Sequence, residues 1–148
     1  MHPFARLLLR AANRLHVALL RASRGRVANS VAGTPLLVLT TTGRRTGQLT
    51  AAPLGYLRDG DAYVVIASAG GLPADPGWAR NLRVHPMAQV EIGGTKQQVH
   101  AQEVGPEEHA AVWKQVVAAY PVYAGYSARA GRVIPLFRLR PVLESVRS

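Results

Sequence analysis

At 148 residues, the chain has the size of one ordinary globular domain, and its content of 48% hydrophobic and 18% charged residues excludes a disordered or membrane-spanning protein. The absence of cysteine excludes disulfides, thiol catalysis and thiolate metal sites. The formal net charge of +10 favours an anionic partner, whether nucleic acid, anionic lipid or a small multiply charged cofactor.

The first 26 residues are predicted to form one amphipathic helix, because about 100° of rotation per residue separates apolar side chains from arginines. The apolar face consists of Phe4, Leu7, Leu8, Ala11, Leu15, Ala18, Leu19 and Ala22. The basic face consists of Arg6, Arg10, Arg14, Arg21 and Arg24. Since arginines interrupt the apolar runs, the pattern indicates neither a membrane span nor a signal peptide.

Two interpretations of this helix stay open. It packs on the domain that follows, or it lies on anionic lipid with its arginines at the head groups. Residues 27–34 are predicted to be a linker, and residues 35–148 are predicted to be a single domain. We expect a cytoplasmic protein, with contact to the inner face of the membrane as the consequence of the second interpretation.

Beyond the linker, the hydrophobic period changes to that of β-strands. Strands are predicted at residues 36–42, 49–57, 62–68, 87–92, 95–104 and 133–139. Hairpin signals separate several of them, most clearly Asp59-Gly60 and Gly93-Gly94. Six antiparallel strands joined by hairpins predict a mainly β (α+β) fold, a small closed barrel rather than a βαβ arrangement.

Two short helices are predicted between the later strands. Asp75 as the N-cap and Pro76 in the first turn start a helix that continues to Leu82. A second helix is predicted over residues 106–120, with acidic residues in its first turn.

The turn after the first predicted strand has the composition of an anion-binding site. We call it the arginine loop, and it consists of Gly43, Arg44, Arg45, Thr46 and Gly47. Glycines let the backbone approach a ligand closely, and guanidiniums bind oxyanions through two parallel hydrogen bonds. Residues 36–56 contain no acid. From the loop alone, a solvated basic turn is an equally good interpretation.

A second group of candidate residues follows the third predicted strand. That strand ends in four small residues, Ser68, Ala69, Gly70 and Gly71. The helix that comes next carries Trp78 and Asn81, and its N-terminus can present free backbone N–H groups to an anion.

Three tyrosines at a spacing of three form the last group. Tyr120 is in register with the apolar stripe of the second helix, so ordinary packing is predicted for it. Tyr123 and Tyr126 are predicted to form a pocket wall, because phenols combine an apolar face with a polar tip.

Motifs of protein-supplied catalysis are lacking. The five histidines are scattered without the spacing of a metal site, and the sequence has no Gly-x-Ser-x-Gly, Walker or Gly-x-Gly-x-x-Gly motif. The eight acidic residues do not lie beside a candidate site in the sequence. Chemistry performed by a bound cofactor therefore fits better than acid–base catalysis by side chains.

Taken together, these stretches resemble the deazaflavin (coenzyme F-420)-dependent nitroreductase family, a branch of the split β-barrel flavin/deazaflavin oxidoreductases. The resemblance covers about residues 35–137. The matching residues are 39–47, Pro53-Leu54, 57–60, 67–68, 70–71, Pro76, Trp78, 81–82, Pro86, Val90, Tyr120-Pro121, Tyr123, Tyr126 and Ile134-Pro135.

The resemblance implies a split β-barrel of about six antiparallel strands with the N-terminal helix and inserted short helices. It also implies an enzyme, an F-420-dependent quinone or nitro reductase. Such an enzyme passes a hydride from reduced F-420, an 8-hydroxy-5-deazaflavin with a phosphate and an oligoglutamate tail, to a quinone or nitro-type acceptor. Split barrels often dimerise, so a homodimer is a further expectation.

The same resemblance assigns roles by position. The phosphate and the tail of the coenzyme would be held by Arg44, Arg45, Thr46 and Gly47. The same channel would be lined by Ser68, Ala69, Gly70 and Gly71 and supported by Trp78 and Asn81. Cofactor binding beside the deazaflavin would fall to Pro53 and Leu54. Tyr123 and Tyr126 would close over the acceptor as the catalytic residues, with Tyr126 orienting or protonating it.

Two residues depart from the pattern of some relatives. Ala69 stands where some carry a lysine, which removes one cation from the tail site. Gly55 stands where some carry a large residue, and we expect it to enlarge or reshape the acceptor side.

Two alternatives remain. The same fold could bind FMN or another ligand, or the chain could be a non-enzymatic basic protein that binds lipid or nucleic acid through residues 1–26. No nucleic-acid recognition motif supports the last interpretation, so no nucleic acid is expected as a partner.

Overall fold

The protein is described by a computed structural model over residues 3–22, 30–31 and 34–143. Four helices and seven strands occupy these ranges, together with a short 3-10 helix at Ala69–Gly71. The helices are α1 (Pro3–Ala22), α2 (Gly77–Val84), α3 (Pro106–Ala119) and α4 (Val122–Ala130). The strands are β1 (Ser30–Val31), β2 (Thr34–Thr42), β3 (Leu49–Asp59), β4 (Ala62–Ile66), β5 (Met87–Ile92), β6 (Thr95–Glu103) and β7 (Leu136–Pro141).

Six antiparallel strands close into a barrel. The sheet order is β1-β2-β3-β4-β7-β6-β5, and β2 pairs again with β5, which joins the two ends of the sheet. Val38 lies opposite both Pro53 of β3 and Glu91 of β5, so the closing pairing passes through the middle of β2. The expected six-stranded barrel is confirmed, and β1 is a two-residue addition to its edge.

Alternation along the strands fills the barrel with apolar side chains. The inward residues that are buried are Leu37, Leu39, Tyr63, Val65, Ala67, Ala88, Val90, Val99, Ala101, Phe137 and Leu139. Trp78, Ala79 and Leu82 of α2 belong to the same core cluster. Helix α2 therefore covers the end of the barrel at which β2 passes into the arginine loop, and its apolar residues complete the core there.

A second apolar cluster lies outside the barrel wall. Val64 and Ile66 of β4 pack with Leu136 of β7 against Val112 and Val116 of α3. The side chains of β4 are thus buried on both faces, which explains why its sequence is a continuous apolar run rather than an alternating one. Helix α4 extends this cluster with its tyrosines.

The beginning of α2 differs from the prediction. Its N-cap position is occupied by Pro76, not Asp75, and the helix starts at Gly77. The Asp75 carboxylate instead accepts hydrogen bonds from Arg132 at 2.6 Å and from Arg83 at 2.8 Å. A carboxylate between two guanidiniums gains more from those charges than from one exposed backbone N–H group.

Three further boundaries also differ. The third predicted strand ends at Ile66 and gives way to the 3-10 helix, and the tyrosine segment is a complete helix, α4. Strand β7 begins at Leu136, after Pro135, because proline cannot donate a hydrogen bond to a sheet. Residues 23–26 of the predicted first helix lie outside the described residues, as does most of the predicted linker. Within that linker, Ser30 and Val31 form β1.

Helix α1 contacts the barrel through a face that the sequence pattern does not single out. Among the side chains of α1 that the structure describes, Val17 is buried and packs on Val38 and Ala51. Val17 lies among the arginines on the helical wheel, and Arg21 pairs with Glu91 of β5 at 3.1 Å. Along the predicted apolar face, Leu7, Leu8 and Leu15 are exposed. No helix within the described ranges is long and apolar enough to cross a membrane.

Candidate functional site

The arginine loop is a tight connection between β2 and β3. The Gly43 N–H donates to the Gln48 carbonyl at 2.7 Å, and the Gly47 N–H donates to the Gly43 carbonyl at 2.9 Å. Gly47 has a φ of 71°, which glycine adopts at the lowest cost. The Thr46 hydroxyl accepts the Gln48 N–H at 3.2 Å. These bonds fix the loop backbone, so the glycines and Thr46 determine where the two arginines emerge.

Asn81 of α2 ties this loop to the end of the barrel. Its side-chain oxygen accepts both the backbone N–H and the guanidinium of Arg44, each at 3.1 Å. Its amide nitrogen donates to the Thr41 hydroxyl at 3.1 Å. Asn81 is only 5% exposed, and a buried amide with all these partners is well satisfied. Asn81 therefore positions Arg44, while its predicted support of a cofactor channel stays a prediction.

Three guanidiniums gather at this position, which we call the arginine cluster: Arg44, Arg45 and Arg80. The pKa of Arg44 is lowered, first by partial burial and then by the positive charges of Arg45 and Arg80. Within the described residues, none of the three forms a salt bridge, because the acids that pair do so with Arg21, Arg83, Arg132 and Arg138. The cluster is therefore an uncompensated positive site.

Sequence reasoning missed Arg80. Its neighbours Trp78, Asn81 and Leu82 mark the buried side of α2, and this pattern places Arg80 on the exposed side. Its position beside Asn81 in a helix predicted near the arginine loop was the available signal. Only the packing of α2 against the barrel brings its charge to Arg44.

The four small residues after β4 form a turn beneath α4. Ser68 is buried, Ala69 has a φ of 49° and Gly71 a φ of 87°. A Cβ atom on Gly71 would lie 3.4 Å from the Tyr126 Cα atom and from the Arg129 side chain. The turn therefore needs glycine at this position, both for its backbone conformation and for the close approach of α4. Extending the β3–β4 register would place Ser68 level with Pro53.

The tyrosines pack edge to face from Tyr120, the C-cap of α3, to Tyr123 and Tyr126 of α4. Tyr123 is buried, and its ring centroid lies 6.3 Å from that of Tyr120 and 5.6 Å from that of Tyr126. The Tyr120 hydroxyl donates to the Tyr56 carbonyl at 3.0 Å, a packing role as predicted from its register. The Arg129 guanidinium lies 4.9 Å from the centre of the half-buried Tyr126 ring.

The space beside Gly55 is filled, contrary to the expectation that this glycine enlarges the acceptor side. A Cβ atom on Gly55 would overlap the Tyr123 hydroxyl and lie 2.6 Å from the Thr34 methyl group. Glycine at this position thus admits the tip of Tyr123 against β3. The Thr34 hydroxyl is buried without a partner of hydrogen-bonding geometry among the described residues, although it is close enough to moderate the pKa of Tyr123.

Burial dominates the titration of Tyr123. It raises the pKa of this phenol to about 12, and the neighbouring Tyr126 and Tyr120 add to the shift, while Thr34 opposes it. Tyr123 is therefore fully protonated at neutral pH. It can donate a hydrogen bond, but it cannot act as a base.

The other predicted site residues divide between the interior of the barrel and the outer face of its wall. Trp78 is 8% exposed and packs edge to face on Phe137 at 5.7 Å, inside the barrel core. Leu54 also packs into that core, so only its backbone is available to a ligand outside the wall. Pro53 alternates with Leu54 and lies on the outer face with Gly55. On that outer face, Pro53 lies between Ala51, which packs under α1, and Gly55, which packs under Tyr123.

Within the ranges that the structure describes, no group of histidine and acidic side chains could hold a metal ion. The chemistry that the arginine cluster makes available is the binding of an anion.

Comparison with known proteins identifies relatives of this chain. The family model described as F420H(2)-dependent quinone reductase matches residues 12–141. A Mycobacterium tuberculosis protein named as an F420H(2)-dependent quinone reductase is 39% identical over 128 residues, which cover 83% of this chain and 85% of the relative.

Two solved structures are also similar. An F420-H2-dependent reductase (FDR-A) is 34% identical with a TM-score of 0.65, covering 72% of this chain and 94% of that one. A protein described as a domain-swapped dimer is 30% identical with a TM-score of 0.66, covering 86% of this chain and 95% of that one.

The close packing of Tyr123 and Thr34 against Gly55 gives a testable prediction. Gly55→Ala should destabilise the protein by about 1–3 kcal/mol, because the added methyl group overpacks the contact with Tyr123 and Thr34. The cost should be smaller in a Tyr123→Phe background, where the overlapping hydroxyl is absent. Urea denaturation of the four proteins measures both values.

Gly125→Ala is the matched control. Gly125 lies within α4, and a Cβ atom there would meet no other atom within 4 Å outside the backbone of its own helix, so alanine should leave stability unchanged or raise it. An equal cost of Gly55→Ala in both backgrounds would show that the Tyr123 hydroxyl does not pack against Gly55.

Proposed function

This chain belongs to the F420H(2)-dependent quinone reductase family, and from that membership and the site geometry we propose that the arginine cluster holds the phosphate and acidic tail of coenzyme F-420. The protein is an oxidoreductase that uses the reduced deazaflavin to pass a hydride to a quinone. The observation that carries the assignment of the site is the uncompensated charge of Arg44, Arg45 and Arg80.

The residues present fit such a coenzyme. A phosphate and several glutamates require cations that are not already paired with protein carboxylates, and the arginine cluster meets that requirement. Asn81 holds Arg44 in place, and the exposed Arg45 and Arg80 can reach a longer tail. Ala69 contributes no charge, so the cluster supplies the cations.

The outer face of β3 fits the flat ring system. Pro53 presents an apolar surface there, and the buried turn at Ser68 is level with it in the strand register. When bound, reduced F-420 supplies the hydride. The chain's own residues bind and orient the reactants and exclude water, which is why catalytic carboxylates are unnecessary.

Tyr126 and Tyr123 would form the acceptor side. Tyr126 is half-buried, so its ring can contact a quinone, and Arg129 over its face adds a positive charge. Tyr123 is buried behind it and holds Tyr126 by an edge-to-face contact. We assign Tyr126 the orienting role and Tyr123 the support of Tyr126. A nitro-type acceptor stays a prediction.

The function is tested by coenzyme binding and turnover. The protein should quench the fluorescence of F-420 saturably, and it should oxidise the reduced coenzyme with menadione as acceptor. FMN is the competing ligand: a purified protein that carries extractable FMN and does not bind F-420 would overturn the proposal.

The arginine cluster makes a second prediction. Arg44→Gln should weaken F-420 binding about tenfold or more, because a charge-assisted hydrogen bond contributes about 1.5–3 kcal/mol. Arg45→Gln and Arg80→Gln should lose more affinity for long glutamate tails than for short ones. Fluorescence titration with coenzymes of defined tail length measures these losses.

Arg140→Gln provides the control, since this exposed arginine of β7 lies outside the cluster and loses the same charge. If Arg140→Gln and Arg44→Gln weaken F-420 binding equally, the effect is one of net charge, and the assignment of the arginine cluster to the coenzyme site is wrong.

We further propose that the apolar face of α1 lies on anionic lipid. Leu7 and Leu15 are each 64% exposed, while Val17 on the opposite side holds the helix to the barrel. Arg10 and Arg14 are exposed beside the apolar face and can reach lipid head groups. Membrane contact would thus place the quinone site near a hydrophobic phase.

Leu7→Glu/Leu15→Glu should abolish co-sedimentation with vesicles that contain phosphatidylglycerol, while F-420 binding persists. The control Ala12→Glu adds a charge elsewhere on the exposed surface of α1. If light scattering instead finds a dimer that the double variant dissociates, a second copy of the chain covers this face and the lipid proposal is wrong.

A further inference from the structure

A cavity opens at the end of the barrel opposite the arginine loop. It has a volume of about 240 Å³ and is lined by Tyr56, Arg58, Tyr63, Val90, Ile92, Thr95 and Gln97. These residues lie near the β3–β4 and β5–β6 hairpins. On β3, Thr50 and Arg58 are separated by about 26 Å of extended chain, so this barrel-mouth cavity is distinct from the F-420 site.

The cavity is half open to solvent, and one side of it is apolar and aromatic. Val90 is buried in the barrel core, and Ile92 packs against it. Tyr56 and Tyr63 meet edge to face with their ring centroids 5.8 Å apart. An engineered apolar cavity of about 150 Å³ holds benzene, so the volume here accommodates one aromatic ring with a substituent.

The polar groups of the cavity are predominantly donors. The Tyr63 hydroxyl donates to the Gln97 side-chain oxygen at 3.1 Å, which occupies that acceptor and fixes the amide. Among the described residues, the Gln97 amide N–H groups have no acceptor. No aspartate or glutamate lines the cavity.

Arg58 supplies a positive charge at the same place. Its guanidinium lies 4.9 Å from the centre of the Tyr63 ring. Stacking leaves the N–H groups free to bind a ligand at their edge. No salt bridge engages Arg58 within the described ranges, because the adjacent Asp59 pairs with Arg138 at 3.1 Å.

We propose that the barrel-mouth cavity binds a small carboxylate with a flat apolar body, of the size of a monosubstituted aromatic ring. The carboxylate accepts hydrogen bonds from Arg58 and Gln97, and the ring packs on the partly exposed side chains of Tyr56 and Ile92. The pairing of a cation with an apolar slot selects an anionic aromatic ligand over a neutral or cationic one. This site does not depend on the F-420 assignment.

The test is a titration of the full chain with benzoate, followed by amide chemical shifts in two-dimensional NMR. Saturable shifts should appear at the β3–β4 and β5–β6 hairpins, and benzamide and benzylamine should bind at least tenfold more weakly. Arg58→Gln should weaken benzoate binding about tenfold, as expected for the loss of one charge-assisted pair.

Three further variants locate the site. Thr95→Trp fills the cavity from an exposed position and should abolish the shifts, whereas Arg140→Gln and Arg44→Gln should leave them unchanged. Circular dichroism shows whether each variant is folded. If Thr95→Trp does not fold, the benzoate affinity of Arg58→Gln tests the proposal instead. Shifts confined to residues 43–47, equal binding of benzamide, or undiminished binding by folded Arg58→Gln would each overturn the proposal.

Discussion

The double pairing of β2 is the constraint on which the rest of the structure depends. Because β2 pairs with β3 on one side and β5 on the other, the sheet closes and its side chains divide into an inner and an outer set. Thr41 falls on the inner side at the end of β2, where it receives the amide of Asn81. The loop that follows emerges beside α2, so barrel closure and the packing of α2 together bring the three guanidiniums to one place.

The same division explains why the proposed coenzyme surface is so narrow. Outward positions of β2 and β3 are partly covered, by α1 at Val38 and Ala51 and by Tyr123 at Gly55. Pro53 lies between these two covers. A ligand at Pro53 would therefore lie between α1 on one side and Tyr123 on the other.

Periodicity and turn chemistry predicted the barrel well, since all six of its strands are recognisable from local patterns. The residues of the arginine loop could also be predicted, because glycine and arginine after a buried strand have a direct chemical meaning. The position of Arg80 beside Arg44 and the packing of the Tyr123 hydroxyl against Gly55 could not be predicted in this way. Both depend on how a helix packs against the barrel, and the sequence around them carries the ordinary pattern of an exposed or a core residue.

Asp75 is a different kind of failure. Its position before a proline has the local signature of an N-cap, but two distant guanidiniums compete for the same carboxylate. Tertiary charge overrides local propensity there. For α1 the local pattern predicted the helix correctly but not its orientation. The side of the helix that contacts the barrel carries Val17, which lies among the arginines rather than on the apolar face.

The hydrogen bonds between Asn81 and Arg44 have a thermodynamic consequence. An arginine side chain loses up to about 2 kcal/mol of conformational entropy when it is immobilised, and Arg44 is already held by the fold. An incoming anion thus meets one oriented guanidinium and two exposed ones that still have rotamer freedom to lose. Contact with Arg44 should accordingly have the least unfavourable entropy of the three, so that the site is preorganised at its inner edge and adaptable at its rim.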